Sequence, residues 1–306
     1  MIGKGCADAT FAVKSAIQTL HEHGQPVYAL FVDLVKAFDS VNRELLWEIL
    51  SKYGIPKKTI EVLKKLHTNV TYQFKMGKKL TKIKGKVGVK QGDNLGPILF
   101  IIMVNAVAET LNKKWKFQKP TFQWHGMKAD GSHKYNPELG TGTNWENKGE
   151  SLTFVDSYYV DDAVYLLLNQ EDLEQAAKLI KTHFKQSGLS VHCGDKRKNK
   201  KSKTEVMHIP KPGQKSTPEE IADVMLNDTE YFGFCNNIKY LGTTFDKRMD
   251  DSKEIRNRIQ KATGAFAKMK ETLQNRNIQA KLCNKTYKAT VLNILLFGCE
   301  NWALKE

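Results

Sequence analysis

Cysteine is scarce in this chain. Five residues in 306 (Cys6, Cys193, Cys235, Cys283 and Cys299) are scattered, with no CxxC pair. That argues against a disulfide scaffold or a zinc cluster and for reduced thiols in an intracellular protein. Long apolar runs are also missing. The longest, Ile98 to Ala108, is interrupted by Asn105, whereas a spanning helix needs about 20 residues. Neither a membrane span nor a membrane partner is expected. The N-terminus lacks a signal-peptide pattern, and no internal repeat is visible. Acidic residues are in deficit, 33 against 48 Lys and Arg, for a net charge of +15. Such a balance points to a polyanionic partner, nucleic acid above all. What is present suits a globular protein: 41% hydrophobic and 9% aromatic residues, at a length that fits about two domains.

The positive charge is concentrated. Residues 57–90 carry eleven Lys and one acid, 194–215 carry eight basic residues and two acids, and 247–288 carry twelve and four. The remainder is net negative. Basic segments around an acidic remainder suit a protein that grips a phosphate backbone around a carboxylate-rich site; each segment alone also reads as solvated surface. The run Lys196 to Lys203 (KRKNKKSK) is expected to be a loop and a nuclear-import signal.

Apolar spacing predicts helices over 10–23, 41–50, 58–67, 97–111, 171–186, 251–273 and 278–296. Strands are expected over 27–33, 70–89, 152–168 and 238–245, with an irregular insertion at 115–150. Helices and strands mix until about residue 246, and only helices follow. The expected division is a body of residues 1–246 and a helical region of 247–306.

Two acidic sites stand out by position. Asp33 closes the apolar strand Val27–Val32, where a charge is costly unless capped, paired or metal-bound. Asp161 and Asp162 sit between two apolar strands, where an ordinary turn is the plain reading. Two strands of one sheet could bring Asp33 beside Asp161, and paired carboxylates of this kind bind Mg²⁺ for phosphoryl transfer. Asp39 is expected to cap the helix beginning near Val41.

Here the wording becomes recognisable. Phe31-Val32-Asp33-Leu34-Val35-Lys36-Ala37-Phe38-Asp39-Ser40-Val41 resembles the first catalytic motif of reverse transcriptases, and Gly88-Val89-Lys90-Gln91-Gly92-Asp93-Asn94-Leu95-Gly96-Pro97 their second. Tyr159-Val160-Asp161-Asp162 resembles the third, Lys203-Thr204-Glu205 the fourth and Tyr240-Leu241-Gly242 the fifth. Five motifs in order, with the ending Leu295 to Trp302, are most similar to the non-LTR (LINE-type) retrotransposon enzymes. The resemblance implies an α+β fold: a reverse-transcriptase-like palm with an antiparallel catalytic sheet and packed helices, then a helical thumb-like domain. It implies RNA-directed DNA polymerase activity by two-metal nucleotidyl transfer, with Mg²⁺ (or Mn²⁺) held by Asp33, Asp161 and Asp162. The implied partners are an RNA template, a DNA primer and deoxynucleoside triphosphates, within a larger polyprotein and a nuclear setting.

The remaining roles follow by position. Lys36 and Ala37 would offer amides to the triphosphate, Phe38 would exclude a ribose 2′-hydroxyl, and Gln91 and Gly92 would line the nucleotide. Lys203 would donate a proton to the leaving pyrophosphate, and Tyr240, Leu241 and Gly242 would grip the primer. Arg256, Arg258, Lys261, Lys268 and Lys270 would track the duplex from a helix whose dry face is Ile255, Ile259, Ala262, Phe266 and Met269. Phe38 also reads as a core aromatic, and Lys203 as the close of a basic run. Asn94 and Gly96 stand where the family commonly has proline and serine, and residues 193–203 exceed the usual connection. Most of the fingers region has no counterpart, so a catalytically silent, nucleic-acid-binding remnant is the alternative expectation.

Overall fold

The computed structural model describes residues 5–77, 79–85, 87–90, 92–123, 151–274 and 277–302. In chain order the elements begin α1 (Cys6–Glu22), β1 (Val27–Val32), α2 (Ala37–Ser40), α3 (Arg43–Lys52), α4 (Lys57–His67), β2 (Thr71–Met76), β3 (Lys79–Lys84) and α5 (Leu95–Lys114). Next come β4 (Thr121–Gln123), β5 (Ser151–Thr153), β6 (Asp156–Tyr159), β7 (Asp162–Leu167), α6 (Gln170–Gln186), β8 (Gly194–Asp195) and β9 (Glu205–Ile209). The chain closes with β10 (Val224–Met225), β11 (Glu230–Phe234), β12 (Asn237–Tyr240), β13 (Thr243–Asp246), α7 (Ser252–Leu273), α8 (Ala280–Tyr287) and α9 (Asn293–Leu295).

The chain forms two compact units. One comprises residues 28–206 and 218–234; the other comprises 1–27, 207–217 and 235–306. By compactness, therefore, α1 and the β12–β13 hairpin group with the C-terminal helices.

The main sheet has seven strands, ordered β10-β11-β9-β1-β7-β6, with β8 paired to β11. β1 runs antiparallel to β7 and β7 antiparallel to β6, which is the expected α+β layout. β1 is buried along its whole length, so its sequence is a continuous apolar run rather than an alternation. α5 and α6 supply the larger apolar faces. Phe100, Met103 and Leu111 of α5, and Ala176, Ala177 and Ile180 of α6, are fully buried. By length and composition α5 could cross a bilayer, but these buried residues belong to the core cluster with β1 and β7. Pro97 falls in its first turn, where a missing N–H is tolerated.

Several expectations need correction. Asp39 does not cap α3: Asn42 does, its carboxamide oxygen accepting from the Glu44 and Leu45 amides at 3.0 and 3.3 Å. Asp39 lies inside the short helix α2. The expected insertion begins within the core, since Trp115 is buried and stacks on Tyr165 at 5.5 Å. Residues 124–150 lie outside the described residues. The last expected helix is interrupted: α8 passes into a π-turn over 288–292 before α9. Strands β9 and β11 went unexpected, because their short, mixed wording carries no clear period.

In the second unit α7 is rotated relative to its expected dry face. Glu254, Arg258 and Ala262 point inward, while Ile259 and Phe266 are exposed. Arg258 therefore does not track phosphates. It binds Glu254 and the Gly242 carbonyl, and its guanidinium lies 4.5 Å from the Phe297 ring. Lys14 of α1 makes a second inward pair, reaching both Asp251 carboxylate oxygens at 2.7 Å.

Candidate active site

The site is built where β1 ends. Val32 pairs with Ala163, so the next position on β1's side, Asp33, comes opposite Asp162. Asp33 is tied by its backbone. Its N–H donates to the buried Thr204 hydroxyl at 3.2 Å, and its carbonyl accepts from the His192 amide at 2.8 Å. Leu34 bridges Val191, and the Val35 amide donates to Ser190 at 2.8 Å. The segment 190–192 thus extends the sheet beneath Asp33.

Asp161 and Asp162 sit where β6 turns into β7. Tyr159 pairs with Asp162, leaving a two-residue turn of Val160 and Asp161. Val160 takes φ 58°, a left-handed conformation that costs a β-branched residue roughly 1–3 kcal/mol. Packing of Val160 against the core maintains it. The consequence is an exposed Asp161 at the tip and a half-buried Asp162 beside it.

Burial first, then the Asp161 charge, then the Asp33 charge push the Asp162 carboxyl up to about 6. Asp161 and Asp33 thus lie within charge reach of Asp162. Among the described residues no three His, Cys, Asp or Glu side chains are drawn tightly enough to enclose an ion. The donor chemistry still fits a hard divalent cation: oxygen only, carrying an excess of negative charge. Between pH 3.8 and about 6 the folded protein keeps a proton that the unfolded chain releases. This group's penalty thus grows as pH rises through that window. Asp162→Asn is expected to raise the melting temperature of metal-free protein at pH 7.5. The gain should vanish near pH 4, where the wild type is protonated too. Melts at the two pH values check it.

After Asp33 the chain makes a tight turn. Lys36 takes φ 47° and opens α2, so the Lys36 and Ala37 amides lie where a helical turn has unused donors. The Phe38 ring is half-buried and stacks on Phe100 at 4.6 Å. The expected core and gating readings of Phe38 are thus compatible: one ring face packs while part stays exposed.

The second motif is laced to this turn. The Val89 amide donates to the Phe38 carbonyl at 2.8 Å and the Gly88 amide to Val41 at 2.9 Å. Gly88 has φ 83°, and a Cβ there would lie 2.7 Å from Asp39 backbone atoms. Arg43, which sequence reasoning missed, clamps the approach to this loop. Its guanidinium donates to the carbonyls of Gly88 (2.7 Å), His67 (2.7 Å) and Val87 (3.1 Å). Gly92 adopts φ 90° with open space where a Cβ would point. Gln91 lies outside the described residues. The departure at Gly96 has a steric reason: a Cβ there would meet the Lys90 carbonyl at 1.9 Å, so serine does not fit.

Lys203 is exposed, and its amide donates to His192 Nδ1 at 3.1 Å. His192 is the other missed residue. Burial and then Lys200 lower its pKa, Asp33 raises it and Lys203 lowers it further, which puts Lys203 within charge reach of the same strand end. The clue in the sequence was Ser190–His192 leading into a longer basic connection, but nothing local marks it as a strand.

The last motif lies in the other compact unit. Leu241 (φ 46°) and Gly242 (φ 87°) form the two-residue turn between β12 and β13, whose paired positive φ values match the twist of a hairpin. Tyr240 is buried, so it supports the turn from inside rather than presenting its ring. A Cβ at Gly242 would meet the Phe297 ring at 3.1 Å.

Comparison with known proteins gives the family. The profile of the family described as reverse transcriptase (RNA-dependent DNA polymerase) matches residues 3–245. The chain belongs to that family. It is 30% identical over 111 residues to a retrovirus-related Pol polyprotein from the type-2 retrotransposable element R2DM of Drosophila melanogaster. That match covers 35% of this chain and 10% of the polyprotein, and it supports the non-LTR affiliation. Among solved structures, a Candida tropicalis telomerase in complex with a TWJ fragment of telomeric RNA is 15% identical, with a TM-score of 0.47, covering 96% of this chain and 41% of that one. An apo form truncated from the C-terminal domain is 16% identical, with a TM-score of 0.44, covering 80% and 38%. The chain thus spans a small part of the polyprotein and under half of either telomerase chain.

Proposed function

We propose that this chain is the polymerising region of a non-LTR retrotransposon reverse transcriptase. It would extend a DNA primer with deoxynucleotides on an RNA template. The observation that carries this reading is the placement of Asp33, Asp161 and Asp162 at the adjacent ends of β1, β6 and β7, where Val32 pairs with Ala163 and Tyr159 with Asp162. Asp33, Asp161 and Asp162 would hold Mg²⁺, or Mn²⁺ in its place, which supplies charge neutralisation and acidifies the primer 3′-hydroxyl.

The chain's own residues do the positioning. The Lys36 and Ala37 amides hold triphosphate oxygens, and Gln91 and Gly92 line the nucleotide. Lys203 donates a proton to the leaving pyrophosphate. The Leu241–Gly242 turn, backed by Tyr240, supports the primer end. The Lys196–Lys203 run supports a nuclear setting, and the match to a Pol polyprotein supports a polyprotein context.

Phe38 offers a test of the substrate class. A ring held against Phe100 excludes the 2′-hydroxyl by shape. Phe38→Ala is therefore expected to raise ribonucleotide incorporation relative to deoxynucleotide by at least about tenfold, the scale of one lost steric contact. Competing-nucleotide primer extension reads this ratio. An unchanged ratio removes Phe38 from the gate.

A further inference from the structure

Lys203 aside, the roles at the carboxylate site do not use the basic run at 196–203, whose first part the structure folds into a tight hairpin. Asp195 and Lys200 exchange both backbone hydrogen bonds, at 2.8 and 3.0 Å, and Asn199 takes φ 49° to close the turn. The Asp195 carboxylate accepts from the Arg197 and Lys198 amides at 2.9 and 3.2 Å. At its base β8 pairs with Glu230–Tyr231, and the Lys196 amide reaches the Thr229 carbonyl at 2.9 Å. Gly194 is needed there, because a Cβ would fall 2.4 Å from the Tyr231 ring. Backbone and Asp195 thus hold the hairpin, leaving most of its cationic side chains for other contacts.

Opposite stands α6. Between them lies a cavity of about 320 Å³ whose lining includes Lys181, Lys185, Lys198 and Lys200, with Asp195 and Glu230 as its carboxylates. Lys181 is paired with Glu230 at 2.5 Å, and Lys198 lies 3.8 Å from Asp195. Lys185 and Lys200 have no carboxylate at ion-pair distance among the described residues. Ser190 and Val191 also line the cavity, and their backbones are the ones paired with Val35 and Leu34.

We propose that this groove binds the phosphodiester backbone of a single-stranded nucleic-acid segment, as a second contact separate from the carboxylate centre. Ammonium groups are point donors suited to phosphate and do not read bases, so binding is independent of sequence. The site is concave, and a flexible strand can lay successive phosphates into it where the stiff, convex duplex cannot. Its lining places a bound strand beside the segment that buttresses Asp33. The inference goes beyond the polymerase reading and needs no catalysis.

The test is equilibrium binding of a fluorescent single-stranded RNA of mixed sequence, titrated from 50 to 200 mM salt. The proteins are wild type, K185A/K198A/K200A, K185R/K198R/K200R and Asp161→Asn. The alanine triple is expected to bind several-fold more weakly and to lose about 2 from the log–log salt slope, at about 0.7 per single-strand phosphate contact. The arginine triple should keep the slope, and the melting temperatures of both triples should match that of the wild type. Asp161→Asn should also keep it, which separates this site from the catalytic one. An unchanged slope in the alanine triple overturns the proposal, as does an equal loss on a short blunt duplex. Inorganic phosphate bound at millimolar concentration and lost in the alanine triple, with RNA affinity unmoved by those substitutions, would make it a free-anion site and overturn it too.

Discussion

Arg258→Ala is expected to destabilise the unit carrying α1, the β12–β13 hairpin and α7 by about 3–5 kcal/mol, the scale for removing one partner of a buried ion pair. Arg258 is 6% exposed and Glu254 1%. The substitution strands the Glu254 carboxylate, unpairs the Gly242 carbonyl and removes the contact with Phe297. Glu254 additionally accepts from the Thr244 amide at 2.9 Å, so the hairpin turn and β13 hang on the same pair. Replacing both partners by Leu is expected to do less damage than either single change, because no charge is then left buried without its mate. Urea unfolding of the two singles and the double measures this. An Arg258→Ala variant as mild as Lys268→Ala would return Arg258 to the wet face.

Gly88→Ala is expected to be nearly as damaging for a backbone reason. The left-handed φ alone costs about 1–3 kcal/mol with a Cβ present, and the new atom must also displace Asp39 and Phe38 backbone atoms lying 2.7 to 2.8 Å away. Relief requires breaking the Val89–Phe38 and Gly88–Val41 hydrogen bonds. The loss should therefore appear twice, as a lower urea midpoint and as weaker discrimination against ribonucleotides in whatever protein remains folded. A variant with wild-type stability and discrimination would mean that the two motifs are not coupled through this contact.

The parts of the site legible in the sequence were those marked by a strong local pattern. An apolar run ending in Asp33, and two aspartates between apolar strands, announce strand ends whatever surrounds them. Gly92 was marked by its motif, and its positive φ came only with the structure. What stayed hidden depends on long-range pairing. His192 and Thr204 lie far along the chain from Asp33, and only the folded sheet brings them under it. Arg43 looks like an ordinary first-turn arginine until its carbonyl partners are known. α7 was misread because its buried stripe is a charge pair. A hydrophobic pattern places Ile259 inside and Arg258 outside, whereas the salt bridge to Glu254 reverses them. The long basic connection gave no strand signal, because its hairpin is held by backbone and Asp195 contacts that leave its composition looking like a loop.

The central claim is that Asp33, Asp161 and Asp162 form one polymerising centre. The most direct measurement is primer extension by the purified chain on an RNA template with a DNA primer, deoxynucleotides and Mg²⁺, beside Asp161→Asn at equal hybrid occupancy. The expected result is metal-dependent extension that falls at least about a hundredfold in the variant, while hybrid affinity changes little. Hybrid binding without extension by the wild type, or extension that survives Asp161→Asn, would contradict the claim.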